Sequence, residues 1–364
     1  MVTFDASQPL AAGLPEAVGS AITDFLDEAV GRLAGVGPAI TELGELAHTF
    51  TAGGKRLRPA FCCWGYLAAT GGTDVPEAVL RVAASLDVLH VSALVHDDVL
   101  DGSQTRRGLP AAHVQLAARH AAGGRRGDAE AFGRSGAILL GDLLLAWAVE
   151  LADTSGAERL AQAQPLLAAV RAEVAAGQYL DVTAQSRTLA DVLDEPASLD
   201  EQIRQVVEYK TARYTVIRPL QIGAALGGGS PELLELLGRF GSPLGRAFQF
   251  RDDVLGVFGD AEVTGKPAGD DLREGKLTVL VAKAIAGAPR AQAERLAGLL
   301  GRPLSPDEVD QARAIIVGSG ALDATEAEIA AAADQASAVL DEQVAEPART
   351  ALRRLVVLAT QREA

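Results

Sequence analysis

Two acidic segments carry the side chains with the clearest capacity for chemistry. The first is HDDVLD at His96–Asp101, and the second is FQFRDDVLGVFGD at Phe248–Asp260, about 155 residues later. Side chains four residues apart share one face of a helix, so Asp97 and Asp101 would repel each other there unless a cation offset their charge. Mg²⁺ prefers oxygen ligands and is commonly held by one or two carboxylates together with substrate phosphates. The pattern therefore predicts two acidic walls of one magnesium site around a diphosphate.

A basic segment, GGKRLRP at Gly53–Pro59, has the composition expected of a loop that binds a diphosphate without metal. Its two glycines let the backbone bend and approach a ligand closely. Lys55, Arg56 and Arg58 place three cations at the start of the next helix, where the helix dipole also favours an anion. The spacing is not that of a Walker-type loop.

Further cations and one histidine lie near these segments in the sequence. Arg106 and Arg107 follow the first acidic segment, and arginine suits bidentate contact with phosphate. His90 precedes Asp97 by two helical turns on the same face. Each of these residues alone could be an ordinary surface cation or a hydrogen-bonded core histidine, but together they favour ligand binding. The other members of this group are Lys210, Thr211, Lys266 and Lys276.

The composition favours an all-α protein that does not bind nucleic acid. Apolar residues make up 48% of the 364, aromatic residues only 4%, and the strong helix formers alanine and leucine dominate. The formal net charge of −15 would repel nucleic-acid phosphates. The two cysteines, Cys62 and Cys63, are adjacent and cannot bridge within a helix, which fits a reducing cytoplasm. We therefore expect a soluble, cytoplasmic protein.

The apolar periodicity predicts one helical domain over 16–364, preceded by a flexible arm over 1–15. Its clearest helix runs over Glu77–Asp101 and ends in the first acidic segment. Another helix is predicted over 199–226, with a bend at Pro219. No alternation of the β-strand type persists long enough to build a sheet.

Loops are expected where polar or glycine-rich residues interrupt the pattern. These stretches are 102–112 and 120–136, and the second is expected to be mobile. The most apolar stretch, 137–149, is shorter than the roughly 20 residues that a membrane-spanning helix needs, and it contains Asp142. We therefore expect no transmembrane segment.

The motifs and their order resemble those of the trans-isoprenyl diphosphate synthases, the polyprenyl synthetase family, and are most like bacterial geranylgeranyl diphosphate synthases. The match extends from about residue 20 to about residue 360. The resemblance implies an all-α bundle of the isoprenoid synthase type with a deep central cavity, and a homodimer. The motifs that carry it are GGKRLRP at 53–59, HDDVLDGSQTRRG at 96–108, LLGD at 139–142, YKTA at 209–212, FQFRDDVLGVFGD at 248–260 and GKPAGDDLREGK at 265–276.

The resemblance implies a Mg²⁺-dependent condensation of an allylic diphosphate with isopentenyl diphosphate, which releases diphosphate. The allylic substrates would be dimethylallyl, geranyl or farnesyl diphosphate. Three Mg²⁺ ions would be held by the two aspartate motifs, that is, by Asp97, Asp98, Asp101, Asp252 and Asp253.

The resemblance also assigns the substrate contacts. Thr211 would help to stabilise the allylic cation beside Lys210. The residues that match contacts to the allylic diphosphate are Arg106, Lys210, Gln249 and Lys266, with Lys276 as a further substrate-binding cation. The residues that match the isopentenyl diphosphate pocket are Lys55, Arg58, His90 and Arg107.

Product length in this family depends on the residues just before the first aspartate motif. Ser92 and Ala93 are small here, so growth past fifteen carbons is expected. Leu86, Leu89 and Trp147 would form the floor of the tunnel. We therefore expect geranylgeranyl diphosphate, a twenty-carbon product, with a longer-chain polyprenyl product as the alternative.

One position departs from the family pattern. Gly256 stands where many members have the last aspartate of the second motif. The substitution removes a carboxylate from that wall, and we expect weaker metal binding there than in members that keep it.

Three alternative functions fit the sequence less well. A class I terpene cyclase also uses an aspartate-rich helix and Mg²⁺, but it normally carries an asparagine/serine/glutamate metal motif that this sequence lacks. A non-catalytic partner subunit of a prenyltransferase usually loses the acidic motifs, and both are present here. An acidic helical scaffold would leave the basic segments without a role.

Overall fold

The computed structural model describes residues 1–11, 13–259 and 269–361, except for the side chains of 341–343, and it confirms the all-α prediction. A 3₁₀ turn, Ala34–Val36, follows the first helix, and a π-helical segment, Val207–Ile217, joins the ninth helix to the tenth. The α-helices are α1 Leu14–Leu33, α2 Ala39–Thr51, α3 Leu57–Thr70, α4 Glu77–Asp101, α5 Ala112–Ala122, α6 Ala129–Asp153, α7 Leu160–Gln185, α8 Leu189–Asp194, α9 Pro196–Val206, α10 Arg218–Leu226, α11 Pro231–Phe258, α12 Asp270–Glu274, α13 Val279–Gly287, α14 Arg290–Ala297, α15 Pro306–Gly318, α16 Ala321–Gln343 and α17 Ala348–Thr360.

Four short strands form two antiparallel pairs in the described part of the chain. Strand β1, Val2–Thr3, pairs with β2, Asp74–Val75, and β3, Thr105–Arg106, pairs with β4, Leu109–Pro110. The first pair anchors the N-terminal arm that was predicted to be flexible. Phe4 is buried and meets Trp64 edge to face at 5.6 Å.

The chain divides into two compact units. Unit 1 comprises Met1–Ala163 with Ile222–Gly229, and unit 2 comprises Gln164–Gln221 with Ser230–Ala364. Unit 1 contains the basic segment and the first acidic segment, and unit 2 contains the YKTA motif and the second acidic segment. The expectation of a single domain stays a prediction.

Helix α4 is the central helix of unit 1, and its bounds are those predicted from the sequence. Proline precedes its first turn, and Gly102 ends it with a left-handed φ of 68° that glycine adopts without strain. Most of its residues are buried. Helix α6 approaches it closely at Gly141, where an added Cβ would lie 2.2 Å from the His96 ring nitrogen.

The loop predicted over 120–136 is wrong for most of its length. Helix α6 begins at Ala129, after Asp128 caps it by accepting a hydrogen bond from the Ala131 amide at 2.6 Å. Two of the glycines that suggested a loop, Gly133 and Gly136, are packing positions, because a Cβ at Gly133 would lie 2.2 Å from the His113 carbonyl oxygen and one at Gly136 would lie 2.8 Å from the Leu116 side chain. These glycines let α5 and α6 approach each other closely.

In unit 2, the π-helical segment lies between two helices that approach its backbone. A Cβ added at Gly177 of α7 would lie 2.6 Å from the Lys210 amide nitrogen, and one at Gly245 of α11 would lie 2.3 Å from Ala212 Cα. A π-helix is rare and is frequently found at functional sites. The helix predicted over 199–226 is therefore present, but its middle is wound as a π-helix.

Two helices of the described chain are long and apolar enough to cross a membrane, judged by length and composition alone. In α4, 72% of the most apolar stretch is buried, and in α6, 44% is buried. Because α6 is longer than the apolar stretch at 137–149, the predicted absence of a transmembrane segment was based on too short a helix. It stays a prediction.

Candidate active site

The first acidic segment lies at the C-terminal end of α4, and an arginine partly neutralises it. Asp98 is 1% exposed and accepts a hydrogen bond from Arg106 Nε at 2.8 Å. Arg106 also lies 3.8 Å from Asp97. Burial raises the pKa of Asp98, and the Arg106 guanidinium acts in the opposite direction. Asp101 lies in the last turn and is half-buried, so all three predicted carboxylates lie at this helix end.

The two arginines after this segment come from the β3–β4 turn. Arg107 has a left-handed φ of 53°. Its guanidinium lies over the basic segment, because a Cβ at Gly54 would be 3.3 Å from its nitrogens. Gly54, with φ of 98°, is thus required both for its conformation and for this close approach. The structure brings Arg107 and the basic segment together, and their role in one substrate pocket stays a prediction.

The basic segment 53–58 connects α2 to α3, but its three cations differ in direction. Lys55 is exposed and Arg58 is half-buried. Arg56 turns inward, is 5% exposed and forms a buried ion pair with Asp87 of α4. The expectation that Arg56 acts with Lys55 and Arg58 as a surface cation is therefore corrected, because the buried carboxylate of Asp87 draws its side chain into unit 1.

His90 lies on α4 among these cations. Burial lowers its pKa well below the ordinary value of 6.5, and the positive charges of Arg58 and Arg107 lower it further. The imidazole is therefore neutral at pH 7 and can exchange hydrogen bonds without adding charge. It lies near Arg58 and Arg107, and the pocket predicted from these residues stays a prediction.

In unit 2, the π-helical segment presents the predicted lysine and threonine. Lys210 forms an ion pair with Asp181 of α7. The Thr211 hydroxyl donates to Gln249 Oε1 at 2.6 Å, and the Gln249 amide nitrogen donates to Asp253 at 2.9 Å. These bonds link the YKTA motif to the second acidic segment.

Asp252 and Asp253 of the second acidic segment lie in the last two turns of α11, and their environment is more acidic than that of the first segment. Asp253 is 3% exposed. Burial raises its pKa to about 8, and the carboxylates of Asp271 and Asp252 contribute to that rise. The hydrogen bond from Gln249 acts in the opposite direction but does not compensate.

The donor set fits Mg²⁺. Buried and neighbouring carboxylates with raised pKa values are stabilised when a divalent cation binds them. Among the described residues, no group of three or more His, Cys, Asp or Glu side chains is arranged to hold a metal by itself. In the usual Mg²⁺ site, substrate phosphates complete the ligands that one or two carboxylates begin.

The family model for polyprenyl synthetases matches residues 41–316. The chain belongs to the polyprenyl synthetase family. A geranylfarnesyl diphosphate synthase of Aeropyrum pernix is 34% identical over 84% of this chain and 86% of its own length. Members of this family are trans-prenyltransferases that make chain-elongated prenyl diphosphates.

Solved structures of this family have the same fold. A geranylgeranyl pyrophosphate synthase from Corynebacterium glutamicum, complexed with isoprenyl diphosphate and magnesium, has a TM-score of 0.89 and 38% identity, covering 96% of this chain and 99% of its own. A polyprenyl synthase from Caulobacter crescentus, complexed with calcium and isoprenyl diphosphate, has a TM-score of 0.77 and 31% identity, with both chains covered completely.

Two carboxylates that contact the predicted residues were not themselves predicted from the sequence. Asp181 forms an ion pair with Lys210. In the sequence it stands out only as the one aspartate of helix α7, four residues after Gly177. Asp271 lies over Gly256, where an added Cβ would be 1.8 Å from its oxygen. A carboxylate therefore lies beside the position where the family's third aspartate is lacking. Weaker metal binding there stays a prediction.

The remaining predicted residues have mixed outcomes. Lys276 follows Gly275 and lies 2.6 Å from Glu274 and 3.8 Å from Asp271. Lys266 lies outside the described residues.

The residues predicted to control product length all lie on α4 and α6. The Ser92 hydroxyl is buried and donates to the Gly141 carbonyl at 2.7 Å, so it bonds α4 to α6. Ala93 is half-buried. The proposed floor residues, Leu86, Leu89 and Trp147, are each less than 5% exposed. Their role in chain length stays a prediction.

Proposed function

We propose that this prenyl diphosphate synthase condenses farnesyl or a shorter allylic diphosphate with isopentenyl diphosphate, with Mg²⁺ as its cofactor. The proposal rests on the presence of two regions of opposite charge. One region crowds arginines around a neutral histidine, and another crowds carboxylates around a buried aspartate whose pKa is about 8. The first suits a diphosphate, and the second suits a divalent cation. The Corynebacterium glutamicum relative, crystallised with isoprenyl diphosphate and magnesium, supports this assignment.

The cationic region would bind isopentenyl diphosphate. Lys55, Arg58 and Arg107 supply the positive charge, and the arginine forks suit bidentate contact with phosphate oxygens. His90 stays neutral there because burial, and then its cationic neighbours, lower its pKa, so it would bind as a hydrogen-bond partner. No metal is needed at this subsite, since side chains supply the charge.

The aspartates of both motifs would hold Mg²⁺ on the allylic diphosphate, and we propose three ions. When bound, Mg²⁺ would neutralise the charge that develops on the leaving diphosphate. Arg106, Lys210, Gln249, Lys266 and Lys276 would contact the same group.

The π-helical segment would hold two of the groups nearest the developing allylic cation. Asp181 fixes the Lys210 ammonium, and Gln249 fixes the Thr211 hydroxyl at 2.6 Å. Side chains that are oriented before the reaction lower the cost of reorganisation in the transition state. The double bond of isopentenyl diphosphate would attack the cation, and the proton would then leave with the released diphosphate.

Product analysis tests the function. We would incubate the chain with radiolabelled isopentenyl diphosphate and, in turn, dimethylallyl, geranyl and farnesyl diphosphate. We expect labelled prenyl diphosphate with Mg²⁺ and none with excess chelator. A cyclic hydrocarbon formed from a prenyl diphosphate alone would identify a terpene cyclase instead, and no incorporation with any primer would refute the proposal.

For product length, we propose geranylgeranyl diphosphate. Ser92 and Ala93 are small, and the Corynebacterium glutamicum relative carries that name, whereas the Aeropyrum pernix relative is named for a longer product. Replacing Ala93 with Phe should shorten the product. An unchanged chain length would refute the tunnel assignment.

We also propose a cytoplasmic homodimer without a nucleic-acid partner. Helix α6 exposes Ile138 and Leu139 at 45% and 60%, and a second copy would cover such apolar side chains. Both cysteines are buried thiols, which suits a reducing compartment. Light scattering should give about twice the chain mass of 37.6 kDa, and a monomeric mass at micromolar concentration would contradict the dimer.

A further inference from the structure

Arg56 and Asp87 form the ion pair in unit 1 whose two side chains are most deeply buried, at 4% and 5% exposure. Removing two charges from water is costly unless their geometry is good and further hydrogen bonds satisfy them. Arg56 makes such a bond, because its second terminal nitrogen donates to the Thr51 carbonyl at 2.9 Å. The Arg56–Asp87 pair is thus buried with a further hydrogen bond from Arg56, and neither residue belongs to an acidic motif.

The pair joins three helices at the base of segment 53–58. Thr51 is the last residue of α2, Asp87 lies in the middle of α4, and Arg56 immediately precedes α3. The Arg56 backbone has a left-handed φ of 50°, which a residue with a side chain adopts only when its surroundings stabilise it. The buried pair supplies that stabilisation.

The position of Arg56 determines where its neighbours lie. Lys55 is the preceding residue and is exposed, while Arg58 is in the first turn of α3 and is half-buried. When the Arg56 side chain is held in the interior of unit 1, the side chain of the adjacent Lys55 is directed toward solvent.

Asp87 also acts on a second arginine. It lies one turn before His90 on α4. Its negative charge opposes the lowering of the Arg107 pKa that burial and the neighbouring arginines cause. Arg107 in turn lies against Gly54 of the same segment. One buried carboxylate therefore acts on both Arg56 and Arg107.

We propose that the buried Arg56–Asp87 pair is a positioning element for the isopentenyl diphosphate pocket, holding Lys55, Arg58 and Arg107 in the arrangement that binds a diphosphate. Neither member of the pair contacts the substrate. The identity of the ligand rests on the proposed function, whereas the positioning role rests on the contacts of unit 1.

The main test uses two variants. Asp87→Asn removes one charge and leaves Arg56 buried without its ion partner. The double variant Arg56→Met with Asp87→Leu fills the same space, has the same net charge as the wild type and should fold, because apolar pairs often replace buried ion pairs without loss of stability. An altered substrate affinity in the double variant would then report positioning rather than net charge or unfolding.

We expect the KM for isopentenyl diphosphate to rise about 10–100-fold in both variants, as for other changes that misplace a binding group. The KM for farnesyl diphosphate should change less than about 2-fold, because its contacts come from other residues. A KM for isopentenyl diphosphate that returns to the wild-type value in the double variant would overturn the inference. Equal rises in both KM values would also overturn it.

A matched control removes an exposed ion pair of the same unit. Glu45 lies 3.2 Å from Arg119, with side chains 60% and 37% exposed. Glu45→Gln should leave both KM values unchanged, since exposed pairs contribute little.

Amide hydrogen exchange separates failure of this inference from failure of the proposed function. In Asp87→Asn, the amides of 53–58 should exchange at least about 10-fold faster than in the wild type, while unit 2 is unchanged. If the wild type consumed no isopentenyl diphosphate, the proposed function would be wrong. Faster exchange with weaker binding of inorganic diphosphate would still support the positioning role, and unchanged exchange would overturn it.

Discussion

The cationic region around His90 and the acidic region around Asp253 are electrostatic opposites. In the first, Arg58 and Arg107 help to lower the pKa of His90 well below 6.5, so the protonated, positively charged form of the imidazole is disfavoured. In the second, Asp271 and Asp252 help raise the pKa of Asp253 to about 8, so its negative charge is disfavoured. In both, burial has the larger effect and crowding of like charges adds to it. Each region would thus gain stability from a ligand of opposite charge, and we propose a diphosphate for the first and a metal ion for the second.

In the first acidic segment, by contrast, the protein itself supplies a positive charge next to the carboxylates. Its sequence, DDVLD, differs from the second, DDVLG, by one residue. Yet Asp98 has Arg106 within 2.8 Å, whereas Asp253 accepts a bond from the neutral amide of Gln249. The two aspartate motifs should therefore depend on added Mg²⁺ to different degrees.

Arg106→Gln should produce the largest change in stability. It leaves Asp98, which is 1% exposed, without its ion partner, and breaking a buried pair in this way typically costs about 3–5 kcal/mol. Denaturant unfolding of the metal-free chain should show that loss. The double variant with Asp98→Asn should recover most of it; if it does not, Asp98 is not the reason for the loss.

Asp253→Asn should sharpen the contrast between the two motifs. The amide oxygen can still accept from Gln249, but the charge is lost, and we expect kcat to fall on the order of 10²–10³-fold. The Mg²⁺ concentration for half-maximal rate should rise more than it does in Asp98→Asn. Steady-state assays over a magnesium series measure both quantities. Glu294→Gln, which removes an exposed carboxylate 2.8 Å from Arg290 in the same unit, is the control and should have no effect. Equal magnesium requirements in the two aspartate variants would contradict the predicted difference between the two motifs.

Gly245→Ala tests whether the backbone beside the acidic region needs close packing. The added Cβ would lie 2.3 Å from Ala212 Cα, so the π-helical segment would have to move. Overpacking of this kind costs about 1–3 kcal/mol, and kcat should fall because Lys210 and Thr211 are displaced. Thermal unfolding and kinetics measure the two effects. Gly31→Ala on α1, which meets nothing within 4 Å, should be neutral or slightly stabilising; a similar loss there would rule out packing as the cause.

His90→Gln tests the cationic region and should have the smallest effect. Because the folded-state pKa of His90 lies below the ordinary 6.5, the unfolded chain takes up the proton first as the pH falls, and the wild type loses stability below about pH 6.5. The variant lacks this contribution, so the wild type should lose about 1 kcal/mol more than the variant between pH 7 and pH 5.5. Denaturant unfolding at a series of pH values measures the difference.

Added inorganic diphosphate should reduce this pH dependence, since an anion raises the pKa of a histidine beside cations. An identical pH dependence in wild type and variant would mean that neither burial nor the arginines lower the pKa of His90 in the folded chain.

Much of the fold and of the motif chemistry could be predicted from the sequence, because both depend on local patterns. Helix α4 was predicted with its observed bounds from apolar spacing and the flanking proline and glycine. The glycines at 133 and 136 were misleading, since a glycine in a loop and one at a helix crossing look alike in sequence. Only the partner helix α5 distinguishes them.

The inward turn of Arg56 and the positions of Asp181 and Asp271 could not be predicted for a related reason. Each depends on a partner elsewhere in the chain, and the partner of a charged side chain leaves no periodic signal in the sequence. Arg56 stands between two other cations and looks like them in sequence, but Asp87, 31 residues later, draws it into the interior. Likewise, Gly256 appears in the sequence as a missing carboxylate, whereas Asp271 lies beside it in the folded chain.

The central claim is that Mg²⁺ and the aspartate motifs together hold the allylic diphosphate. The most direct test is equilibrium dialysis of Mg²⁺ with an unreactive thiolo analogue of farnesyl diphosphate, for the wild type, Asp97→Asn and Asp252→Asn. We predict three Mg²⁺ ions per wild-type chain in the presence of the analogue, and fewer in each variant. Equally tight binding of the analogue with and without excess chelator would contradict the claim.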